Sequence, residues 1–502
     1  MHLSHLFLKT CQRHSTRYLH PSISYNDVYR QSTWYLSYLR HQLGIQPQQR
    51  VALWAPKSYL WAPFLFACFR NNNVVIPLPF PPSQCPSLIS MTQPHVVLDR
   101  LEEPSLSSLP SPENMSMDPV YDIHSPALIL FTSGSTQRPK AVVLSHSNLY
   151  QNLKQMDSVL YSHVSSEDRS YSTLPWFHCY GLVCELLFGM MKGSQIMVSG
   201  YKDPVVNLQQ MASFRPTIVQ MVPKMIYGIE KACRESILFR WQGPSSRRRF
   251  LFGPHLRFVT VGGAPCLPAS LEFLHHAFHI PFYQGYGMTE MSPMVSLSTQ
   301  GTSDFTTTGP FLPNIQWKVD PQSHELWVKG PNQMLGYLDK MISDTQMLLT
   351  FPWSIEDPWY ATGDQARVDD RGYLSICGRL QDGYKMANGK FVQPSVTEAL
   401  LEQRSSFIQQ CLLFTTTGVN NELLLYTLSP PSDPHPLISS IQSILHANQV
   451  PPSLRPTRLH FLTSPFSVEN QCLSLKHEKR RAFILSEWNH QRLPVHASIS
   501  MT

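Results

Sequence analysis

"LILFTSGSTQRPKAVVLSHSNL", residues 128–149, sets a polar turn between two apolar runs. Ala127 to Phe131 and Ala141 to Leu144 have the aliphatic and β-branched content of strands. Between them, Thr132, Ser133, Gly134, Ser135 and Thr136 offer backbone N–H groups and hydroxyls, and Lys140 adds a point charge. Such a set suits the oxygens of a polyphosphate. The stretch differs from the nucleotide P-loop, G-x-x-x-x-G-K-[ST], whose lysine leads straight into a helix. Here Pro139 precedes Lys140 and a strand follows. Taken alone, the segment reads equally well as a polar turn.

Upstream, residues 23–82 alternate helix, strand, helix, strand. "SYNDVYRQSTWYLSYLRHQLG" has helical apolar spacing and stops on Gly44, "SYLWAPFLFACFR" is helical, and "RVALWA" and "NVVIPLP" are strand-like. This alternation implies a parallel sheet covered by helices. Residues 104–118 form a Pro/Ser-rich loop. Strands resume at "ALILFTS", "TIVQMVP", "LRFVTVGG" and "FYQGYG", interrupted by a basic loop at 240–254 that carries Arg247 to Arg249. Past residue 320, "HELWVKG" and "GYLSICGR" suggest a more antiparallel subdomain. "GYKMANGKFVQP" alternates around Asn388-Gly389, a hairpin signal. Helix "VTEALLEQRSSF" and strands "CLLFTTT" and "TRLHFLT" form a last unit, with the joint near Gly378 to Gly383.

A chain of 502 residues exceeds one ordinary core, so two or three domains are expected. Hydrophobic residues at 42% and charged residues at 15% exclude a solvated disordered chain. Forty basic against 34 acidic residues leave only +6, far from the basic stripe of a nucleic-acid binder. The 10 cysteines lack C-x-x-C or metal-ligand spacing and read as reduced thiols of a cytosolic protein. No apolar run approaches the ~18 residues of a membrane span; peripheral membrane contact stays open. The first twenty residues lack acids and carry Lys9, Arg13 and Arg17, as a weak transit peptide would. An ordinary N-terminal helix is the preferred reading.

The polar turn has companions. "FTSGSTQRPKAVVLSH" resembles the phosphate loop of adenylate-forming enzymes: acyl-CoA synthetases, peptide-synthetase adenylation domains and luciferases. In the same order as in that family come "GGAP" (Gly262, Gly263, Ala264, Pro265), "YQGYGMTE" (283–290), "YATGD" (360–364) and "GRLQDGYKMANGKFVQP" (378–394). The resemblance spans residues 20–485. It implies an α/β fold: a large N-terminal domain (1–380) of helix-covered β-sheets with a small antiparallel subdomain, then a mobile α+β C-terminal domain (381–502).

It also implies roles. ATP would lie on Thr132 to Thr136 and Lys140, with adenine against Gly263, Ala264, Pro265, Tyr286 and Gly287. Thr289 would meet the α-phosphate and Glu290 would hold Mg²⁺. Asp364 would accept the ribose hydroxyls, with Arg379 beside it. "LPWFHCYGL" places His178 where the substrate carboxylate arrives, and Asp382 takes the hinge position. The C-terminal lysine is Lys476 in "FSVENQCLSLKHEKRR", with His477 as the other alignment. Gln137 and Ala141 replace glycines of the family loop, and Gln137 restricts a turn that glycine would permit.

The chemistry requires such residues: a carboxylate is a poor electrophile until adenylated, and phosphoryl displacement is positioning plus charge neutralisation. The four-residue spacing of Lys385 and Gly389 resembles that of long-chain fatty acyl-CoA synthetases. The implied substrate is a fatty acid in an apolar tunnel around residues 176–191 and 211–227, with CoA as acceptor. A ligase serving an acyl carrier protein through its phosphopantetheinyl arm, and a non-catalytic nucleotide binder, are the alternatives.

Overall fold

Two short apolar runs, Arg50–Leu53 and Val74–Pro77, are buried at every position, as strands inside a sheet covered on both faces must be. The structure, a computed structural model, describes residues 1–105, 109, 119–132, 139–160, 163–199, 204–236, 239, 241–299, 304–387, 391–428, 433–473 and 479–501. Most of the Pro/Ser-rich loop at 104–118 lies outside them, as does the Asn388-Gly389 turn. The described residues divide into two compact units. The first is Met1–Lys318, Trp327–Ala361 and Val368–Ser375; the second is Val319–Leu326, Thr362–Arg367 and Ile376–Thr502.

In the first unit a 7-stranded sheet runs, in spatial order, Met347–Thr350, Gly336–Met341, Lys140–Ser145, Pro126–Thr132, Val74–Pro77, Arg50–Leu53, Val96–Leu98. Its last four strands are parallel, as helix-strand alternation requires. The stretch at 126–145 adds an antiparallel pair instead, so the polar turn joins neighbouring strands. A 6-stranded sheet runs Met294–Leu297, Phe282–Gly287, Phe258–Val261, Ile218–Met221, Arg169–Ser172, Gln195–Val198, parallel except for the first pair.

Helices cover these sheets. Trp61–Arg70 is buried throughout. Tyr25–Ser37 starts on a capping box in which Ser24 and Asp27 satisfy each other's backbone N–H. It continues as the wider turn Tyr38–Gln42 and gives way at Gly44, which has φ +67°. The N-terminal segment is the helix Leu3–Arg13, with Leu3, Phe7, Leu8 and Cys11 in the core. Among the described residues no helix is long and apolar enough to cross a membrane, and all 10 cysteines are free.

The basic segment corrects the expected loop. Residues Pro244–Phe252 form a helix with proline in its first turn, and Gly253 at φ +82° ends it. Arginine is a good helix former, and the buried Leu251 and Phe252 tie the segment to the core.

In the second unit, Ile408–Phe414, Asn421–Thr427, Pro456–Leu462 and Val495–Ser500 form a 4-stranded sheet in that order. The middle pair is parallel and the outer pairs are antiparallel. Pro394–Arg404, His435–Ala447 and Arg481–Asn489 are its helices. The hairpin is present: Tyr384 pairs with Val392 and Lys385 with Phe391. Deep in this unit Lys479 reaches Glu398 at 3.0 Å and Glu402 at 2.7 Å, while Arg481 pairs with the other Glu398 oxygen. Those cations hold the Glu398 carboxyl below its ordinary pKa although burial acts the other way. Glu398→Ala should therefore leave the buried Arg481 without its carboxylate, with Lys479 held by Glu402 alone, and cost about 3–5 kcal/mol, read as a fall in denaturant midpoint.

Candidate active site

Adjacent parallel strands deliver two of the sequence motifs to one end of the 6-stranded sheet. Val259 pairs with Phe282, Thr260 with Tyr283 and Val261 with Gln284. Gly262 to Pro265 and Tyr286 to Glu290 therefore leave the carboxyl ends of neighbouring strands, where open α/β sheets bind ligands. Gly263 turns there with φ +87°, and Gly263, Ala264 and Pro265 are exposed. Gly287 is required by packing, because a Cβ would collide with the Pro293 carbonyl oxygen. Tyr286 is half-buried at the strand end.

Thr289–Met291 is one tight turn, braced from residues 332–334: Met334 N–H donates to Glu290 O at 2.8 Å and Asn332 Nδ2 to Met291 O at 2.6 Å. The Glu290 side chain accepts a hydrogen bond from Tyr337 Oη at 2.9 Å through Oε1. Tyr337 Oη is also 2.9 Å from Tyr360 Oη, and Lys140 Nζ lies 4.8 Å from the Tyr337 ring centroid. Thr132 and Lys140, paired across the two strands, hold the base of the polar turn. Ser133, Gly134, Ser135 and Thr136 lie outside the described residues, with Gln137. The structure thus brings Lys140 to the ring of Tyr337 and Glu290 to its hydroxyl. Burial and the Glu290 charge push both tyrosine hydroxyls above their ordinary pKa, so they stay protonated donors. Tyr337 carries no local motif in the sequence; only sheet pairing reveals it.

Glu290 Oε2 makes no hydrogen bond among the described residues. A single hard carboxylate oxygen fits Mg²⁺ as nucleotide enzymes hold it, with one or two carboxylates and phosphate oxygens completing the shell.

His178 is half-buried in the turn before the helical segment Tyr180–Leu187. Two residues on, the Tyr180 ring lies along the glycine ledge: a Cβ on Gly262 would stand 3.3 Å from its Cζ. The His178 turn is clamped from beneath. Lys57 Nζ donates to Ser172 O at 2.9 Å and Leu174 O at 3.1 Å. Glu185 accepts from Ser172 Oγ, from Leu174 N and from Trp176 Nε1. Burial pushes the Glu185 carboxyl up to about 7, against the pull of the Lys57 charge, and lowers the Lys57 ammonium. Neither residue carried a sequence signal.

The apolar stretches assigned to a tunnel are largely packed core: Leu182, Val183, Leu187, Met211, Met221 and Ile226 are buried. The space left between Tyr180, Cys184, Glu185 and Gln220 has a volume of ≈ 40 Å³.

In the second unit, Asp364 Oδ1 is 3.6 Å from Arg379 Nε. Gly363, at φ +74°, donates its N–H to Glu325 at 2.9 Å, and Gln393 Nε2 donates to Arg379 O at 2.9 Å. Asp382 lies in the turn Leu380–Asp382, within the field of Arg481. Lys476 and His477 lie outside the described residues. Lys479, three residues on, is committed to Glu398 and Glu402.

The family model for AMP-binding enzyme matches residues 8–338. A feruloyl-CoA synthase of Amycolatopsis sp is 27% identical over 382 residues, covering 71% of this chain and 73% of its own. The peroxisomal long chain acyl-CoA synthetase 6 of Arabidopsis thaliana is 28% identical over 349 residues, covering 61% and 48%. The expected special kinship to long-chain synthetases is corrected by these figures, since the feruloyl enzyme matches more of both chains. The solved anthranilate CoA ligase in complex with anthranoyl-AMP shares the fold, with a TM-score of 0.77 over 98% of each chain at 16% identity.

Tyr337→Phe should weaken Mg²⁺·ATP binding about 10- to 100-fold by calorimetry, the value of a hydrogen bond to a charged group. The raised Glu185 pKa favours the fold while the carboxyl stays protonated. That contribution is full below the ordinary value of 4.5 and is lost as pH rises through about 7. Glu185→Gln should flatten the melting temperature between about pH 5 and 8.

Proposed function

The chain belongs to the AMP-binding enzymes, adenylate-forming acid–thiol ligases, and from that membership we propose that it activates an aromatic or aryl-alkenoic acid for transfer to CoA. The observation that carries the aryl reading is Tyr180 on the glycine ledge. The ring packs directly on Gly262 and Gly263, which have no side chains to hold it off, and so sets an aromatic group beside the ledge where a flat acyl group would stack. The ≈ 40 Å³ behind Tyr180 is far below the ~300–1,000 Å³ of pockets that enclose larger ligands, so a long alkyl tail finds no tunnel there.

The substrate carboxylate attacks the α-phosphorus of ATP, and pyrophosphate leaves. The CoA sulfur then attacks the acyl carbon, and AMP leaves. In this reading Lys140 and the turn 132–136 neutralise the phosphates, and Thr289 donates to the α-phosphate. His178 orients the carboxylate, and Asp364 with Arg379 takes the ribose. Bound Mg²⁺ would supply charge neutralisation at the phosphate oxygens, held by Glu290. Asp382 is the hinge about which residues 381–502 turn between the two steps, and Lys476 is the cation spanning carboxylate and α-phosphate.

A fatty acid is the second reading, favoured by the Arabidopsis relative and the Lys385–Gly389 spacing. Transfer to a carrier protein rested on Arg247 to Arg249, which belong to a helix anchored in the core.

The test is pyrophosphate release from ATP over benzoates, cinnamates and C6–C18 fatty acids, each with and without CoA. Turnover of aryl acids with CoA-thioester formation is expected; turnover of fatty acids alone overturns the aryl reading. Lys476→Ala should lower adenylation by about 10²–10³-fold, as loss of one transition-state contact does. His477→Ala should leave it within a few-fold, and the reverse result would move the lysine role to His477.

A further inference from the structure

One face of the 4-stranded sheet in the second unit carries polar groups that the ligase reading leaves unused. His460, in the strand Pro456–Leu462, stands opposite Ser498 in the last strand, Val495–Ser500. Glu422, in the strand Asn421–Thr427, stands opposite Arg458. Residues two apart share a face, so Glu422, Arg458, His460 and Ser498 lie on one side, within reach across neighbouring strands. His460 Nε2 is 2.8 Å from Glu422 Oε2, and its Nδ1 is 2.7 Å from Ser498 Oγ. Thr416 Oγ1 donates to the other Glu422 oxygen.

An ionised carboxylate only accepts, so the His460 proton sits on Nε2 and the Nδ1 lone pair faces the serine hydroxyl. Burial holds His460 below its ordinary pKa, against the Glu422 charge, which keeps the ring a neutral base at pH 7. His460 and Glu422 are 4% and 8% exposed, whereas Ser498 is open to solvent. A histidine that only fills a core has no need of a solvent-facing hydroxyl. The backbone adds a second donor. Met501 N–H donates to Thr457 O at 2.9 Å, so 457 and 501 are a hydrogen-bonded pair. Such pairs alternate along an antiparallel ladder, and at 460 and 498 the Ser498 N–H therefore points away from its partner strand, toward the open edge of the sheet.

We propose that Ser498, His460 and Glu422 form a further catalytic site, at which Ser498 takes an acyl group from an activated ester or thioester and water then removes it. Ser498 Oγ bonds to the acyl carbon as its proton passes to His460 Nδ1. The carbon–oxygen or carbon–sulfur bond breaks, and the leaving group departs with that proton. Water then attacks the acyl-serine, His460 passes a proton from the water to Ser498 Oγ, and the carboxylic acid leaves. Glu422 positions the imidazole and balances its transient charge. The Ser498 N–H donates to the carbonyl oxygen as it gains charge, and the exposed Arg458 adds a cation on the same face. The inference goes beyond the ligase reading and stands without it.

The experiment treats the full chain, without ATP, with a fluorophosphonate, which a nucleophilic serine attacks at phosphorus with loss of fluoride. Peptide mass mapping should find the label on Ser498, and the same protein should release p-nitrophenolate from p-nitrophenyl acetate and free thiol from benzoyl-CoA. Ser498→Ala should lose all three. His460→Gln should slow labelling and ester cleavage by about 10²–10⁴-fold, the value of a general base. Glu422→Gln should slow both and move the pH at which the rate rises to a lower value, since the carboxylate raises the His460 pKa. Melting temperature, measured on each variant, separates these effects from misfolding.

Absence of label on Ser498 in the folded wild type overturns the proposal. Label at an unchanged rate in a folded His460→Gln protein overturns it equally and leaves Ser498 as the hydrogen-bond partner of a buried histidine. If His460→Gln does not fold, the rate and pH shift of Glu422→Gln decide by the same criteria. A chain that labels at Ser498 yet releases no pyrophosphate with any acid defeats the ligase reading and keeps this one; the opposite result does the reverse.

Discussion

The hydroxyl of Tyr337 is the contact that ties the Glu290 turn to the 7-stranded sheet. It donates to Glu290, meets Tyr360 and sits on the ring that faces Lys140. Its position is a consequence of register: Gly336 pairs with Val143 and Tyr337 with Val142, beside the strand that Lys140 opens. A slip of one residue would carry Tyr337 to the opposite face of the sheet. The placement of Lys140 and Glu290 about Tyr337 is therefore set by strand pairing across nearly two hundred residues of chain, not by either motif.

Buried charge plays the same role elsewhere. Lys57 and Glu185 grip the two sides of residues 172–176, just before His178. Glu398, Lys479 and Arg481 grip the stretch that follows Lys476. Ion pairs removed from water are weak sources of net stability, because desolvation offsets most of their attraction. Their use here is geometric: Glu398 with Lys479 and Arg481 through ion pairs, and Lys57 with Glu185 through hydrogen bonds to residues 172–176, each hold a segment of chain in place. Lys57 and Glu185 show the strain of this arrangement, since burial drives both toward neutrality.

The strands and the motif ends were legible because their signals are local. Buried runs such as Arg50–Leu53, the glycines at 262–263 and 287, and the Tyr384–Val392 hairpin each follow from short-range chemistry. The helix Pro244–Phe252 was missed because three consecutive arginines look like a solvated loop, while its anchors Leu251 and Phe252 come last. Tyr337 and Lys57 were illegible for a different reason: their partners are remote in sequence, while Glu185 bonds back to residues 172–176 at a spacing that belongs to neither helix nor strand periodicity. The tunnel was misread because apolar content alone does not distinguish a lined channel from packed core. Ser133 to Thr136 and Lys476 remain readings of the sequence.

The packing behind Tyr180 limits what the neighbouring space can hold. Leu182, Val183, Met221 and Ile226 are all buried, and the space left beside Tyr180 is ≈ 40 Å³. Discrimination by apolar length alone is shallow, about 1–3 kcal/mol for each methylene. A wall that is already close-packed acts differently, because a longer group must displace buried side chains to enter, and interiors at native density resist that.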